Sequence, residues 1–366
     1  MLRCLSIGLV LVFVFLTAPA AAQPGAANPP YVQEEVQVTS GAIRLAGTFT
    51  LPAGAGPHPA VVLLTGSGPQ SRDEEVLGMP VFRLLADHLT RAGVAVLRCD
   101  DRGVGGSTGS VAQSTSSDFA DDALAQVAWL KTRKEIDARR IGLLGHSEGG
   151  IVAPMAANRS RDVSFVVLLS GPAQTGEQIM LAQNELVGRA SGVPEEQIRK
   201  NGALQRRMFA AARSGEGLEA LTAEVRALAS EALGRLPEAQ RKAIGDLDAA
   251  AARAAEQQVA GLKTPWFRYF LTYDPVPALE KLACPALAIF AEHDTQVPAG
   301  PNREAMEAAF ERGGHRDHTI VVVPRANHLY QESATGAPTE YAMLKKEFAP
   351  GFAETITSWI LNGRNR

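Results

Sequence analysis

Six short, continuously apolar segments recur along the chain, and they constrain its fold more than any other feature. They are AVVLLT from Ala60, AVLR from Ala95, IGLLG from Ile141, FVVLLS from Phe165, ALAIFA from Ala286 and TIVVVP from Thr319. A strand that is buried on both faces loses the alternation of polar and apolar residues, and such strands separated by helices are typical of a parallel sheet. The sequence therefore predicts a doubly wound α/β fold.

The segments between these apolar runs fit helices, and two further strands precede them. The strands, Glu35–Thr39 and Ile43–Leu51, flank Ser40-Gly41 and predict an antiparallel hairpin. The predicted helices are Pro80–Arg91, Ser117–Lys134, Gly150–Ala157, Asn302–Arg312 and Pro350–Leu361.

The alternation stops between Gly171 and Leu282, where no strand-like run occurs. Apolar residues there follow helical spacing, at positions 218, 221, 225 and 228. Because the chain afterwards returns to strands of the same kind, an inserted cap is a simpler topology than a separate helical domain. We expect a core formed by residues 35–171 and 283–366, and a helical cap formed by residues 172–282.

The N-terminus has the pattern of a secretory signal peptide. Arg3 precedes an apolar stretch, Leu5–Leu16, and an A-x-A site ends at Ala22. The alternative is a membrane anchor, but this stretch is shorter than the roughly 18 apolar residues that span a bilayer. Residues 1–22 are therefore predicted to be removed and 23–34 to form a linker, which leaves a periplasmic or secreted enzyme without a stable membrane anchor.

Charge and cysteine content exclude several classes of partner. A formal charge of -3 without a Lys/Arg-rich run predicts no nucleic-acid binding. Cys99 and Cys284 form no C-x-x-C motif or Cys/His cluster, so no metal site is predicted. Because they lie at opposite ends of predicted parallel strands, no disulfide is expected between them. The expected partner is a small molecule.

Gly145-His146-Ser147-Glu148-Gly149 directly joins an apolar strand to a helical segment. This is G-x-S-x-G in the strand-turn-helix setting of a nucleophile elbow, where a side chain at either glycine would collide with neighbouring backbone. A second match surrounds Ser107, but no strand leads into it and no helix follows it. Ser147 is therefore the predicted nucleophile, and Ser107 is predicted to be a loop residue.

A serine nucleophile needs a base and an acid, and on such a fold they follow the serine in the order acid, then histidine. His328 lies on the loop that leaves the last predicted strand, unlike His293, His315 and His318. Asp294 follows the preceding strand and lies further onto its loop than Glu292. Asp294 and His328 are therefore the predicted partners of the serine.

Acyl transfer also requires donors for an oxyanion. One is predicted to be the backbone N–H of Glu148, directly after the nucleophile, and the other an N–H of the loop after the first apolar run. That loop contains Gly66-Ser67-Gly68, so Ser67 is the second candidate. The alternative is that this loop is a turn without a catalytic part.

Residues 60–170 and 283–361 resemble the α/β-hydrolase superfamily. The stretches TGSGPQSRDE, RCDDRGVGGSTG, GHSEGG and ANHLYQ are similar to those of bacterial esterases and dienelactone-hydrolase-like proteins. The resemblance implies an eight-stranded sheet together with the triad and oxyanion positions above. Cys99 departs from the expected aromatic residue, which would alter a pocket wall.

Five aromatic residues within Trp266–Tyr273 end the cap. Trp266 and Tyr269 are predicted to line an acyl pocket, the alternative being that these side chains only pack the cap on the core. The charged residues Arg72, Asp73 and Arg102 are expected to organise loops through ion pairs.

The predicted activity is hydrolysis of carboxylic esters of small or medium acyl groups through an acyl-enzyme, without a metal or an organic cofactor. A peptidase or thioesterase using the same triad is the alternative, because fold does not fix function. A non-catalytic binding protein is disfavoured, because binding gives no reason for three catalytic groups in the right order.

Overall fold

A computed structural model describes residues 30–363 of the chain. The predicted signal peptide and most of the predicted linker lie outside the described residues. The first strand begins at Val32, so the last three residues assigned to the linker belong instead to the sheet. Their pairing with β2, given below, explains the earlier start.

Eight strands form one sheet, in the spatial order β1-β2-β4-β3-β5-β6-β7-β8. Their bounds are β1 Val32–Ser40, β2 Ile43–Leu51, β3 His58–Leu64, β4 Ala95–Cys99, β5 Ile136–His146, β6 Phe165–Leu169, β7 Ala286–Ala291 and β8 His318–Val323. Strand β2 is antiparallel to both β1 and β4, and the other neighbours are parallel. The hairpin and the parallel sheet are therefore confirmed.

Residues of β3 show why the apolar runs form strands. Val62 and Leu64 pack into the hydrophobic core on one face of the sheet, whereas Val61 and Leu63 pack into the core on the other. Side chains alternate between the two faces of a strand, so a strand covered by helices on both faces is apolar at every position.

Twelve α-helices occur within the described residues. They are α1 Val81–Arg91, α2 Ser116–Lys131, α3 Gly149–Arg159, α4 Gly176–Ala190, α5 Glu195–Ser214, α6 Leu218–Gly234, α7 Glu238–Ile244, α8 Leu247–Leu262, α9 Pro265–Thr272, α10 Val276–Glu280, α11 Ala299–Arg312 and α12 Phe352–Asn362. The five predicted helices correspond to α1, α2, α3, α11 and α12, with ends that differ by a few residues. No helix of residues 30–363 is long and apolar enough to cross a membrane.

Helices α4 to α10 fill the segment between β6 and β7. In α6, Leu218, Leu221 and Val225 are buried, as their helical spacing predicts, and they join the main core cluster. A smaller cluster of Ala229, Leu233 and Ala251 joins α6 to α8. The inserted segment thus has buried apolar contacts of its own and also packs on the core.

The carboxyl ends of the parallel strands meet at one edge of the sheet. The loops that follow β3, β5, β7 and β8 leave from this edge, and they carry Ser67, Ser147, Asp294 and His328 respectively. Ligands of open α/β sheets bind at this edge, so the topology brings the predicted site residues into one region.

Candidate active site

Ser147 lies at the turn between β5 and α3 with a backbone φ of +53°, in the left-handed region that non-glycine residues rarely adopt. A Cβ on Gly145 would lie 2.0 Å from the Gly149 carbonyl oxygen, and one on Gly149 would lie 2.1 Å from the Leu64 carbonyl oxygen. The Ser147 N–H donates to the Leu169 carbonyl at 2.9 Å. Both glycines are therefore required by close backbone packing at the elbow.

Asp294 and His328 are joined by a hydrogen bond of 2.7 Å between Asp294 Oδ2 and His328 Nδ1. The other carboxylate oxygen accepts the backbone N–H groups of Gln296 and Val297, each at 2.8 Å. Both members of the pair are buried. The two backbone donors fix the orientation of the carboxylate, and the carboxylate in turn fixes the imidazole.

His146 connects the loop of His328 to the elbow. Its Nε2 lies 2.9 Å from the His328 carbonyl oxygen, and the two imidazole rings are 4.7 Å apart. Ser147 is the next residue and is partly exposed, whereas both of its neighbours are buried. Within residues 30–363 the structure shows no hydrogen bond from the Ser147 hydroxyl to His328. Catalytic hydrogen bonds are often long in enzymes without bound substrate.

The two rejected candidates have other partners. Glu292 is exposed, and it accepts the backbone N–H of Arg325 at 2.7 Å. Ser107 is buried; its hydroxyl accepts the Ala46 N–H at 2.9 Å and donates to the Asp100 carbonyl at 2.8 Å. Ser107 is therefore a loop residue, as predicted, and its hydroxyl ties that loop to β2 through the Ala46 N–H.

The loop after β3 lies directly against the Ser147 side chain. A Cβ on Gly66 would be 3.2 Å from the Ser147 Cβ, so a side chain at this position would crowd the elbow. In the part of the chain that the structure describes, the backbone N–H groups of Ser67 and Glu148 have no hydrogen-bond acceptor. Both are therefore free to bind an oxyanion.

The side chain of Glu148 is buried between the core and the cap. Its carboxylate accepts the Ser116 hydroxyl at 2.7 Å and the Trp266 indole N–H at 3.1 Å. Burial raises the pKa of Glu148, while hydrogen bonds from Ser116, Ser67 and Trp266 oppose that rise. The residue directly after Ser147 thus carries a buried carboxyl group whose pKa is raised.

The two predicted pocket aromatics have different surroundings. Trp266 stacks on Phe270 with ring centres 5.6 Å apart, and its N–H reaches Glu148 beside the nucleophile. Tyr269 stacks on Tyr273 at 5.5 Å and interacts with the Ser117 side chain on α2. Trp266 therefore contacts the elbow, whereas Tyr269 contacts Tyr273 and Ser117. A role for Trp266 or Tyr269 in substrate binding stays a prediction.

The three charged loop residues form the expected ion pairs. Arg72 binds Asp100 at 2.7 Å and Glu35 at 2.5 Å, Asp73 binds Arg98 at 2.9 Å, and Arg102 binds Asp122 at 2.6 Å. These pairs tie the loops after β3 and β4 to the sheet and to α2.

Cys99 and Cys284 are both free thiols, as predicted. Cys99 lines a cavity of about 50 Å³ beneath the loop after β3, where Asp101 and Glu148 also lie. Burial raises the pKa of the Asp101 carboxyl well above its usual range. Within residues 30–363, no group of three or more His, Cys, Asp or Glu side chains could hold a metal ion.

Sequence reasoning assigned no role to Glu74 or to His146. Glu74 Oε1 lies 2.9 Å from His146 Nδ1 and accepts the Gly66 N–H at 2.6 Å. Both side chains are buried. They stand within the stretches TGSGPQSRDE and GHSEGG, but nothing in those stretches indicates that the two residues pair.

The turn at Ser147 has the strand-turn-helix geometry of a nucleophile elbow and lies at the carboxyl edge of the parallel strands. The chain belongs to the alpha/beta hydrolase family, whose sequence profile matches residues 61–342 and thus most of its length. Among curated relatives, the chain is 28% identical over 341 residues to Esterase EstD of Thermotoga maritima. That alignment covers 91% of this chain and 70% of the relative.

Solved structures show the same fold at low identity. The Pyrococcus furiosus esterase Pf2001 has a TM-score of 0.53 at 15% identity, covering 92% of this chain and 94% of the other. A proline iminopeptidase of Mycobacterium smegmatis has a TM-score of 0.53 at 17% identity, covering 90% of this chain and 98% of the other. These two neighbours act on different bonds, so their similarity shows the fold and leaves the substrate open.

Proposed function

We propose that this protein hydrolyses carboxylic esters, with Ser147 as nucleophile, His328 as general base and Asp294 as the residue that orients the base. The observation that carries the proposal is the buried 2.7 Å hydrogen bond between Asp294 and His328, on a loop that the elbow itself contacts. Asp294 Oδ2 accepts a hydrogen bond from the Nδ1–H of His328, and this tautomer leaves Nε2 unprotonated and able to accept a proton from the serine.

The reaction begins when His328 takes the proton of Ser147 and the serine oxygen attacks the ester carbonyl carbon. The negative charge that develops on the carbonyl oxygen is stabilised by the N–H groups of Glu148 and Ser67. His328 then protonates the departing alcohol. The same histidine activates water, which hydrolyses the acyl-enzyme and regenerates the free serine.

Three observations support this assignment of oxyanion donors. The Glu148 N–H follows the nucleophile at the start of α3, the loop of Ser67 lies against the Ser147 side chain, and neither N–H has another acceptor within residues 30–363. Preformed donors of this kind need no reorganisation during the reaction, which is the source of their catalytic effect.

We propose small or medium acyl groups as substrates. The esterase name of the Thermotoga maritima relative supports an ester. Trp266 supports an aromatic wall near the elbow, because its indole reaches Glu148 from the cap. Tyr269 is proposed as a second, more distant contributor, since it lies one helical turn further along α9.

Hydrolysis of p-nitrophenyl esters from acetate to laurate, measured beside aminoacyl nitroanilides and an acyl thioester, tests this proposal. We expect turnover of short or medium esters, little turnover of anilides and no activity in Ser147→Ala. Preferred cleavage of the nitroanilides or the thioester would instead establish the peptidase or thioesterase alternative. No turnover of any substrate would favour a non-catalytic binding protein.

We also propose that the chain is exported and processed after Ala22. The proposal rests on the charged, apolar and small-residue segments of residues 1–22.

A further inference from the structure

Glu74 and His146 form a buried chain of hydrogen bonds that the proposed reaction does not use. Glu74 Oε1 accepts the Gly66 N–H at 2.6 Å and lies 2.9 Å from His146 Nδ1. His146 Nε2 lies 2.9 Å from the His328 carbonyl oxygen. Glu74 is 1% exposed and His146 2% exposed, so water cannot replace these partners.

The donor and acceptor roles of these atoms constrain the protonation of Glu74 and His146. A carbonyl oxygen can only accept, so His146 Nε2 must carry a hydrogen to bond His328. Glu74 Oε1 already accepts a backbone N–H at 2.6 Å, a contact that favours a charged carboxylate oxygen over the O–H oxygen of a neutral acid. With Glu74 as the carboxylate, Nδ1 donates to it, both ring nitrogens of His146 are donors, and the ring is an imidazolium.

Electrostatics are consistent with this assignment. The other oxygen, Glu74 Oε2, is buried without a hydrogen-bond partner among the described residues, and a buried carboxylate is costly unless an opposite charge lies beside it. Burial lowers the pKa of His146, but the charge and the hydrogen bond of Glu74 outweigh this and raise it. The charge of Asp294 also raises the pKa of His146. The rings of His328 and Tyr330 pack beside the His146 ring, with centres 4.7 Å and 6.4 Å away.

Each hydrogen bond that the pair makes to the backbone involves a residue that is a proposed catalytic residue or its neighbour in the chain. Gly66 precedes the oxyanion donor Ser67, His146 precedes the nucleophile, and the carbonyl bound by His146 belongs to the catalytic histidine itself. The φ of Glu74 is +44°, an uncommon conformation for a residue with a side chain. Such strain persists where the surrounding contacts determine it, as at functional sites.

We propose that Glu74 and His146 are a positioning pair, a buried carboxylate and imidazolium that hold the oxyanion loop, the elbow and the histidine loop in register. The pair touches none of the reacting atoms. It acts through the three loops that carry them, and this inference therefore rests on the proposed function.

The variant Glu74→Gln tests the catalytic part of this inference, with Glu75→Gln as the matched control. Glu75 is the next residue and is exposed, so its replacement leaves the site unchanged. We expect Glu74→Gln to lower kcat about 100-fold, the effect of a small misplacement of catalytic groups, with little change in KM. A kcat for folded Glu74→Gln equal to that of the control would overturn the positioning role.

Protonation is measured on the wild-type enzyme, and a variant is needed only to assign the His146 signal. Nitrogen NMR of protein labelled at its seven histidines, with His146 assigned by its loss in His146→Gln, reports both ring nitrogens. We expect two protonated nitrogens at neutral pH, and a neutral His146 ring would overturn the inference. This spectrum requires no turnover, whereas failure of the proposed function would appear as absence of ester hydrolysis in the wild type.

Discussion

The indole N–H of Trp266 donates a hydrogen bond to the carboxylate of Glu148, 3.1 Å from each of its two oxygens. This contact joins the cap to the residue that follows the nucleophile and supplies a proposed oxyanion donor. The inserted helices and the turn at Ser147 are therefore joined through one side chain. If Trp266 lines the acyl pocket as proposed, its replacement changes both the pocket wall and the support of this turn.

Trp266→Ala is predicted to shift the preference among acyl chain lengths more than it lowers stability. A fitted pocket discriminates by about 1 to 3 kcal/mol for each methylene, whereas truncating a purely packing aromatic costs about 3 to 5 kcal/mol of folding free energy. Chain-length profiles and melting temperatures of the same variants separate the two roles. Tyr269→Ala should shift the profile less, because Tyr269 contacts Tyr273 and Ser117 rather than Glu148.

Trp266→Phe serves as the control for that variant, because it keeps one aromatic ring while removing the N–H donor together with the five-membered ring of the indole. We expect it to retain the wild-type chain-length profile with a lower kcat. A large fall in melting temperature together with an unchanged profile in Trp266→Ala would refute the pocket assignment.

Glu148→Gln is predicted to gain stability relative to the wild type as pH rises. Burial raises the pKa of the folded Glu148 carboxyl, so the folded state holds this proton more tightly than the unfolded state. Above the ordinary glutamate pKa of about 4.3, ionising the buried group therefore costs stability in the wild type and not in the variant. The melting temperature of Glu148→Gln minus that of the wild type should increase as pH rises above that value, and it should become constant above the raised pKa of Glu148.

The exposed variant Glu75→Gln is the control for this pH series. The melting temperature of Glu75→Gln relative to the wild type should show no comparable increase as pH rises. A difference between Glu148→Gln and wild type that stays constant or falls as pH rises is incompatible with a pKa raised by burial.

Asp294→Asn is predicted to bind substrate but to lose turnover by about 10⁴-fold, because an amide favours the wrong tautomer of His328. Glu292→Gln, which changes an exposed acid two residues away, should reduce kcat little. Steady-state kinetics on a p-nitrophenyl ester measure both. If the loss instead follows Glu292→Gln, the acid has been assigned to the wrong residue.

The sequence was sufficient to predict the sheet and the elbow because their causes are local. The run Ala60–Leu64 is apolar throughout because both faces of β3 are covered, and Gly145 and Gly149 are required by backbone contacts within the elbow and with β3. The Glu74–His146 pair could not be predicted in this way. Its members are 72 residues apart, and only the folded chain brings them together.

In the inserted helical segment, too, local patterns were predictable from the sequence and contacts between distant residues were not. Helical spacing in α6 predicted the burial of Leu218, Leu221 and Val225, because amphipathic periodicity is a property of the helix itself, whereas Leu228 at the end of the predicted stripe is half-buried. The partner of Trp266 lies 118 residues away in the chain, and no periodic pattern identifies it. The start of β1 was missed for a related reason: Val32 is exposed, and it is held by backbone pairing with Leu51.

The N-terminal pattern predicts export followed by cleavage after Ala22. Expression of the full-length chain in a bacterial host, followed by fractionation and N-terminal sequencing, should find the protein outside the cytoplasm and beginning at Gln23. Deleting residues 2–22 should retain it in the cytoplasm. An uncleaved chain that remains with the membrane fraction would instead establish an N-terminal anchor.

The central claim is that Ser147 is an activated nucleophile, and a fluorophosphonate probe with peptide mapping tests it most directly. The probe forms a covalent bond only with a serine activated by a base. We predict one labelled peptide containing Ser147, with labelling lost in Ser147→Ala along with about 10⁴-fold or more of the turnover. Ser107→Ala should still be labelled, although the loss of two buried hydrogen bonds should lower its stability. Absence of labelling in the wild type, or an adduct on Ser107, would contradict the account.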